Sequence, residues 1–183
     1  MTESETLKSD ATRLLRHLDL VGRLEKFGHV RPTGSYAADL MTVPDIDLYV
    51  VGQWDRAAVR KIFVGLLDAL PVKGLLFFDW VRYRHPDFPR AYYIGIKDNF
   101  RGRKWKVDIW FLTERQVKSL PYADWSQVEV SPTQRRAIIG FKEYRDRRGL
   151  AIPSFMVYEA VLRHGLLKRQ EIEEYCRGDA DNK

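Results

Sequence analysis

The stretch GSYAADLMTVPDIDLYVV, residues 34–51, decides how this chain is expected to fold. Its last seven residues are mostly apolar and β-branched, which predicts a strand over 45–51. Because side chains alternate along a strand, Asp45 and Asp47 share one face. Two neighbouring carboxylates repel each other unless a cation lies between them. The stretch therefore predicts a strand that presents a pair of acids to a metal ion.

A third acid, Asp108, lies in the later apolar stretch KWKVDIWFL, residues 104–112. The turn sequence DNFRGR, residues 98–103, separates it from a strand predicted at 92–97, so the two strands are expected to form a hairpin. Alternation puts Lys106 and Asp108 on the same face and leaves the apolar side chains for the core.

Three strand-borne carboxylates form a ligand set for Mg²⁺. This ion takes one or two carboxylates and completes its shell with water and substrate phosphates, and a third acid would bridge to a second ion. Two alternatives remain open. Asp108 could form an ion pair with Lys104, Lys106 or a helical arginine, and the paired acids could be turn or capping residues that follow Pro44.

Composition places the chain among soluble globular proteins. Its 183 residues suffice for one buried core, and 45% of them are hydrophobic while 31% are charged. No apolar run approaches the roughly 20 residues that span a bilayer, and the acidic N-terminus does not resemble a secretory signal. Cys176 is the single cysteine, which excludes an internal disulfide. We therefore expect a cytoplasmic protein without a membrane partner.

Periodicity and capping signals predict the remaining elements. Helices are expected at 6–27, 36–41, 55–70, 131–147, 154–163 and 168–177. Strands are expected at 29–33, 45–51, 72–84, 92–97 and 104–112. The predicted fold class is α/β (α+β), with a sheet core and its N-terminal helix over residues 1–112 and a helical part over 113–183 packed on that core.

The pattern resembles the nucleotidyltransferase superfamily, which includes DNA polymerase beta, CCA-adding enzymes and minimal, stand-alone nucleotidyltransferases. Gly34-Ser35, nine residues and Asp45-x-Asp47 match its Gly-Ser and paired-acid signature, and Asp108 matches its third acid. The match covers roughly residues 28–112. The resemblance implies a mixed sheet flanked by helices.

The resemblance also implies an activity. Asp45, Asp47 and Asp108 would be the catalytic residues and would hold two Mg²⁺ ions. An NTP would then transfer its nucleoside monophosphate to an acceptor hydroxyl and release pyrophosphate.

The same resemblance implies how the nucleotide is held. Gly34 would let the backbone approach the phosphates, and the Ser35 hydroxyl would bond the β- or γ-phosphate. Lys106, beside Asp108 on its strand, could also meet phosphate.

The acceptor is open to three interpretations: an RNA 3′ end such as that of a tRNA, a protein hydroxyl or a small molecule. Residues 101–148 hold twelve Lys or Arg against six Asp or Glu, which favours RNA unless these side chains form a solvated helix face. Five aromatic residues are expected in the core rather than on a surface that stacks bases: Phe77, Phe78, Trp80, Trp105 and Trp110. The alternative functions are a non-catalytic nucleotide- or protein-binding module and a metal-dependent nuclease.

Overall fold

Five strands form one mixed sheet in the computed structural model, which describes residues 2–86, 88–120 and 128–178. They are β1 (His29–Thr33), β2 (Asp45–Val51), β3 (Gly74–Asp79), β4 (Tyr92–Phe100) and β5 (Arg103–Leu112). Their order across the sheet is β1-β2-β5-β4-β3. β2 and β5 pair in parallel, and the other neighbours are antiparallel. The predicted fold class, a mixed sheet flanked by helices, is confirmed.

Helices precede, connect and follow the strands. They are α1 (Glu3–His17), α2 (Leu20–Glu25), α3 (Gly34–Ala37), α4 (Arg56–Ala69), α5 (Glu114–Ser119), α6 (Pro132–Arg148), α7 (Ser154–Tyr158) and α8 (Arg169–Gly178). A π-helical turn, Glu159–Arg163, continues α7. Within the described ranges, no helix combines the length and apolarity that crossing a membrane requires.

One face of the sheet forms the main hydrophobic core. Alternate residues of β2 and β5, such as Ile46 and Ile109, point into it and are fully buried. Apolar side chains of α1, α2 and α4 cover that face. The opposite face carries the polar residues of the same strands, as the alternation of β5 predicted.

A second hydrophobic cluster joins the C-terminal helices to the segment after α3. Ile138 and Phe141 of α6 pack there with Val157, Val161 and residues of α8. Ala38 and Leu40 also belong to this cluster, although they lie between α3 and β2. Helices α6, α7 and α8 are therefore anchored beside the paired-acid strand.

The prediction of one continuous helix near the N-terminus is wrong. The single helix expected over 6–27 breaks into α1 and α2, because Asp19 adopts a left-handed backbone with φ of 46°. Such a conformation interrupts right-handed helical hydrogen bonding. Apolar periodicity continues through the break, so it did not reveal it.

Other boundaries differ by a few residues. α3 occupies 34–37 rather than 36–41, and β3 occupies 74–79 rather than 72–84. The expected 154–163 helix changes to π-helical geometry at Glu159, and Pro153 rather than Ser154 is its N-cap residue. These differences arise at element ends, where tertiary packing rather than periodicity decides.

Capping signals predicted two helices well. The Asp55 side chain accepts a hydrogen bond from the Ala58 amide at 2.7 Å at the start of α4. Ser131 and Gln134 form a reciprocal capping box at the start of α6, and Gly149 ends that helix in a left-handed conformation.

Candidate active site

The parallel pairing of β2 with β5 brings the three predicted acids together. Asp47 lies directly across from Asp108, and Asp45 lies across from Lys106. Each acid offers a carboxylate oxygen within 4.8 Å of the others. Because all three project from the same face, the interpretation of the paired acids as turn or capping residues is wrong.

Gly34 closes one side of this cluster. Its φ of +62° lies in the left-handed region that favours glycine. A Cβ atom at this position would lie 2.3 Å from the Asp47 Oδ2, closer than any real contact allows. The site therefore needs glycine both for its backbone angle and for the approach of the turn to Asp47. Ser35 follows and lines the same cavity as the paired acids.

Burial and mutual repulsion disfavour the charged forms of the paired acids. Burial, followed by the charges of Asp45 and Asp108, raises the pKa of Asp47 to about 7. Burial and repulsion from Asp108 also raise the pKa of Asp45, although Lys106 opposes this shift. Among the described residues, Asp45 Oδ1 is buried and has no hydrogen-bond partner.

Lys106 and Tyr93 are the partners of Asp108. The Lys106 ammonium lies 2.7 Å from Asp108 Oδ2 and 3.4 Å from Asp45 Oδ2, and the Tyr93 hydroxyl donates to Asp108 Oδ1 at 2.6 Å. The ion pair left open by the sequence is therefore present. Burial acts to lower the pKa of Lys106, but its hydrogen bond to Asp108 and the charge of Asp45 leave that pKa raised.

These observations fit a divalent cation. The cluster consists of hard carboxylate oxygens, the type that Mg²⁺ prefers. One of those oxygens lacks a hydrogen-bond partner. Burial, and after it repulsion among the acids, raises the pKa values of Asp45 and Asp47, so a cation would favour their ionised forms. Asp45, Asp47 and Asp108 are the residues that would hold the ion.

A cavity of about 290 Å³ opens beside the acids. One side, which we call the strand wall, comprises Thr33, Gly34, Ser35, Asp45, Asp47, Tyr49 and Trp110. The other side, which we call the helix wall, comprises Lys142, Arg145, Ser154, Phe155 and Tyr158. Acids on one wall thus face cations on the other across a space of ligand size.

Lys142 is the least expected residue of the helix wall. Its side chain is 2% exposed, and its ammonium donates to the Leu40 carbonyl at 2.6 Å and to the Tyr158 hydroxyl at 3.3 Å. Burial and the nearby Arg145 lower the pKa of Lys142 to about 8, against the attraction of the acids. These two bonds leave its third N–H available to a ligand.

Arg145 is held rigidly beside Lys142. Its guanidinium donates to the Ile152 carbonyl at 3.0 Å and the Ser154 hydroxyl at 2.9 Å, and it pairs with Asp146 at 2.7 Å. These contacts fix a positive charge at the rim of the cavity.

The sequence analysis did not identify the helix wall. One signal was present: Lys142 shares the helical spacing of the buried Ile138 and Phe141. A lysine on the apolar stripe of a helix must find polar partners inside the protein. Which partners it finds depends on how α6 packs against the segment after α3, and periodicity does not supply that information.

Comparison with known proteins does not identify a family for the chain. No protein-family model matches the chain, and no curated protein matches it. Among solved structures, it is similar to the small alarmone synthetase 1 of Bacillus subtilis, crystallised with its product pppGpp. The two are 10% identical with a TM-score of 0.40, over 96% of this chain and 90% of that one. At these values the similarity assigns neither a family nor an activity.

Proposed function

We propose that the chain is a Mg²⁺-dependent nucleotidyltransferase that moves a nucleoside monophosphate from an NTP to an acceptor hydroxyl. One observation carries the proposal: three carboxylates on neighbouring strands converge beside a glycine turn, and one of their buried oxygens lacks a partner. Such a cluster is costly without a cation, and a bound Mg²⁺ would supply that charge.

The triphosphate would occupy the cavity between the strand wall and the helix wall. On the strand wall, Gly34 allows close approach of the backbone and Ser35 offers a hydroxyl donor. On the helix wall, Lys142 and Arg145 supply positive charge from side chains that are 2% and 11% exposed. Phosphates bind best where fixed cations and hydrogen-bond donors converge.

Asp45, Asp47 and Asp108 would hold the metal. When bound, Mg²⁺ would neutralise charge on the phosphates and favour ionisation of the acceptor hydroxyl.

The transfer itself is a displacement at the α-phosphorus. The acceptor oxygen forms a new bond to that phosphorus, and the bond from the phosphorus to the bridging oxygen of the β-phosphate breaks. The bonding electrons leave with pyrophosphate, and the acceptor proton passes to water. The residues contribute position and charge rather than covalent chemistry, as in phosphoryl transfer generally.

Lys106 would have one role in the nucleotide-free site and another in the nucleotide-bound site. Without nucleotide, its ammonium partly balances Asp108 and Asp45. Its side chain is nearly half exposed, so it can swing from the carboxylates towards a phosphate when nucleotide and metal arrive.

The direct test is to incubate the protein with Mg²⁺, each labelled NTP and pools of RNA, protein and small-molecule acceptors. We expect label on one acceptor class and release of pyrophosphate. Asp45→Asn should abolish both, whereas Asp68→Asn, which changes an exposed acid on α4, should preserve them. No label on any acceptor, together with no thermal shift caused by nucleotide and Mg²⁺, would refute the proposal.

A non-catalytic binding module is the second candidate, because Lys106 already supplies an internal cation to Asp108 and Asp45. A module of this kind would bind nucleotide or a protein partner without releasing pyrophosphate. Its binding would also survive Asp47→Asn, whereas an enzyme would lose its Mg²⁺-dependent activity.

A further inference from the structure

A row of aromatic rings crosses the sheet face that carries the acids. Phe78 of β3 lies opposite Tyr93 of β4, which in turn lies opposite Trp110 of β5. Trp80 stacks on Phe78 at 5.0 Å and an interplanar angle of 6°. Phe88 contacts both Trp80 and Trp110, at 5.2 and 5.6 Å. We call these five residues the aromatic surface.

The aromatic surface lies outside both hydrophobic clusters, although Tyr93 is itself buried. None of its residues belongs to either hydrophobic cluster found in the described ranges, so the expectation that Phe78, Trp80 and Trp110 are core residues is wrong. Phe78 and Phe88 are 41% and 42% exposed. Trp80 and Trp110 are half-buried and Tyr93 is 8% exposed, so Phe78 and Phe88 are the rings that this surface presents to solvent. An exposed apolar patch usually marks a binding surface.

This surface reaches the candidate active site directly. The Tyr93 hydroxyl donates to Asp108, and Trp110 lines the cavity that holds Asp45 and Asp47. A molecule lying on the rings would therefore have one end at the three acids.

Lysines lie on the other side of the acids. Lys97 and Lys106 are directly opposite each other in the β4–β5 pair, an arrangement that costs stability because like charges repel. Together with Lys73 and Lys104 they line a depression of about 390 Å³, which also contains Asp98. We call these four lysines the lysine surface.

The geometry separates two approaches to the acids. The cavity with Gly34 and Lys142 lies on the β2 side of the cluster. Asp108 lies on β5, whose other neighbour is β4, so the aromatic and lysine surfaces extend towards the β4 side, and Trp110 belongs to both the cavity and the aromatic surface. From Lys104 to Trp110 the exposed face of β5 extends about 20 Å, at about 3.3 Å per residue. If the nucleotide fills the cavity, the acceptor must arrive over this face.

We infer that this face binds the acceptor as a single-stranded nucleic acid, with its terminal hydroxyl at Asp108; the inference rests on the proposed function. Bases would stack on Phe78 and Phe88, the exposed rings of the aromatic surface. Backbone phosphates would contact Lys73, Lys97 and Lys104 of the lysine surface. Rings beside a row of cations are the combination by which proteins hold single strands without reading their sequence. A duplex would bind poorly, because its bases are already stacked.

The first experiment measures binding without NTP, so it does not depend on catalysis. A fluorescent, unstructured single-stranded RNA is titrated with the protein, and anisotropy gives the Kd. We expect Phe78→Ala to weaken binding about fivefold or more, the loss of one stacked base. Phe78→Tyr, which keeps the ring, should retain the affinity. Phe27→Ala is the matched control, since Phe27 is equally exposed but follows α2.

The second experiment tests the lysine surface. Lys97→Ala and Lys104→Ala should each weaken binding for every sequence and reduce the slope of log Kd against log salt by about one. Lys61→Ala removes an exposed lysine from α4, on the covered side of the sheet, and should change neither quantity.

The outcomes of these experiments distinguish failure of the inference from failure of the proposed function. Equal affinity of Phe78→Ala and the unchanged protein, or preference for a duplex, would overturn the inference. Label transfer to a protein or small molecule, with no RNA binding, would overturn it while supporting the transferase. RNA binding that needs Phe78, without any transfer, would leave the surface in place and refute the proposed function. Under the inference, Phe78→Ala raises KM for the RNA and leaves KM for the NTP unchanged.

Discussion

The strand wall and the helix wall of the cavity differ in how they are built. The strand wall uses residues that lie close in sequence or pair directly, so the alternation of β2 and β5 sets its geometry. The helix wall uses Lys142 and Arg145, whose positions depend on packing between α6 and the segment around Leu40. The comparison teaches that strand alternation and strand pairing specify the carboxylate cluster, whereas the packing of α6 specifies the facing positive charge.

The largest effect is expected from a substitution in the strand wall that removes a carboxylate. Asp47→Asn should lower Mg²⁺-dependent transfer on the order of 10³-fold, because a ligand and its charge are lost. The same change should raise the metal-free melting temperature, since it removes a buried carboxylate that repels Asp45 and Asp108. Activity assays and thermal melts with and without Mg²⁺ check both effects. A lower metal-free melting temperature would contradict this view of the acids.

Gly34→Ala should be the most destabilising small change to the strand wall. It adds left-handed strain and places a methyl group against the Asp47 carboxylate, at an expected combined cost of about 2 kcal/mol or more. Gly102→Ala is the matched control, because its φ is +77° but no atom lies within 4 Å of the added Cβ. Urea unfolding gives the free energy of unfolding of both variants, and the difference between their losses is the cost of the contact with Asp47 alone. Equal destabilisation would show that the contact with Asp47 is unimportant.

Breaking the helix wall should affect substrate binding more than folding. Lys142→Met should raise KM for the NTP about tenfold or more, the loss of a charge-assisted hydrogen bond. Lys61→Met is the control on an exposed surface. If KM stays the same, the helix wall does not contact the triphosphate.

The Lys142→Met variant also tests the helix wall through the pH dependence of the free energy of unfolding. The folded protein binds the Lys142 proton more weakly than the unfolded chain does, because burial lowers the pKa from 10.5 to about 8. Its contribution to stability therefore increases as pH rises from about 8 to 10.5, and Lys142→Met should remove that increase. Urea unfolding across this range measures the difference.

The last expected effect comes from the proton on Asp47. In the folded, metal-free protein its pKa is raised from 3.8 to about 7, so the folded state binds the proton more tightly. That contribution to stability is complete below about pH 4 and is lost as pH rises to about 7. Mg²⁺ binds the ionised form, so its stabilising effect should grow over the same window. Melts at several pH values, with and without Mg²⁺, check the sign.

Much of this arrangement could be predicted from sequence because it obeys local rules. Alternation placed Asp45 and Asp47 on one face and Asp108 on the polar face of its own strand, and the family resemblance linked the two strands. Capping residues located the starts of α4 and α6. The break at Asp19 escaped prediction because the apolar spacing continues through it. The roles of Tyr93 and Lys142 escaped for another reason: each contacts residues that are distant along the chain, and only the packed fold brings them together.

The single cysteine offers a consequence of a different kind. Cys176 lies in the second hydrophobic cluster and is 2% exposed, so a thiol reagent can reach it only when α8 moves away from α6. Its labelling rate thus reports how often the C-terminal helices open. Since α6 also carries Lys142 and Arg145, a nucleotide held by both walls should slow the labelling of Cys176. The labelling rate of this cysteine therefore measures closure of the cavity.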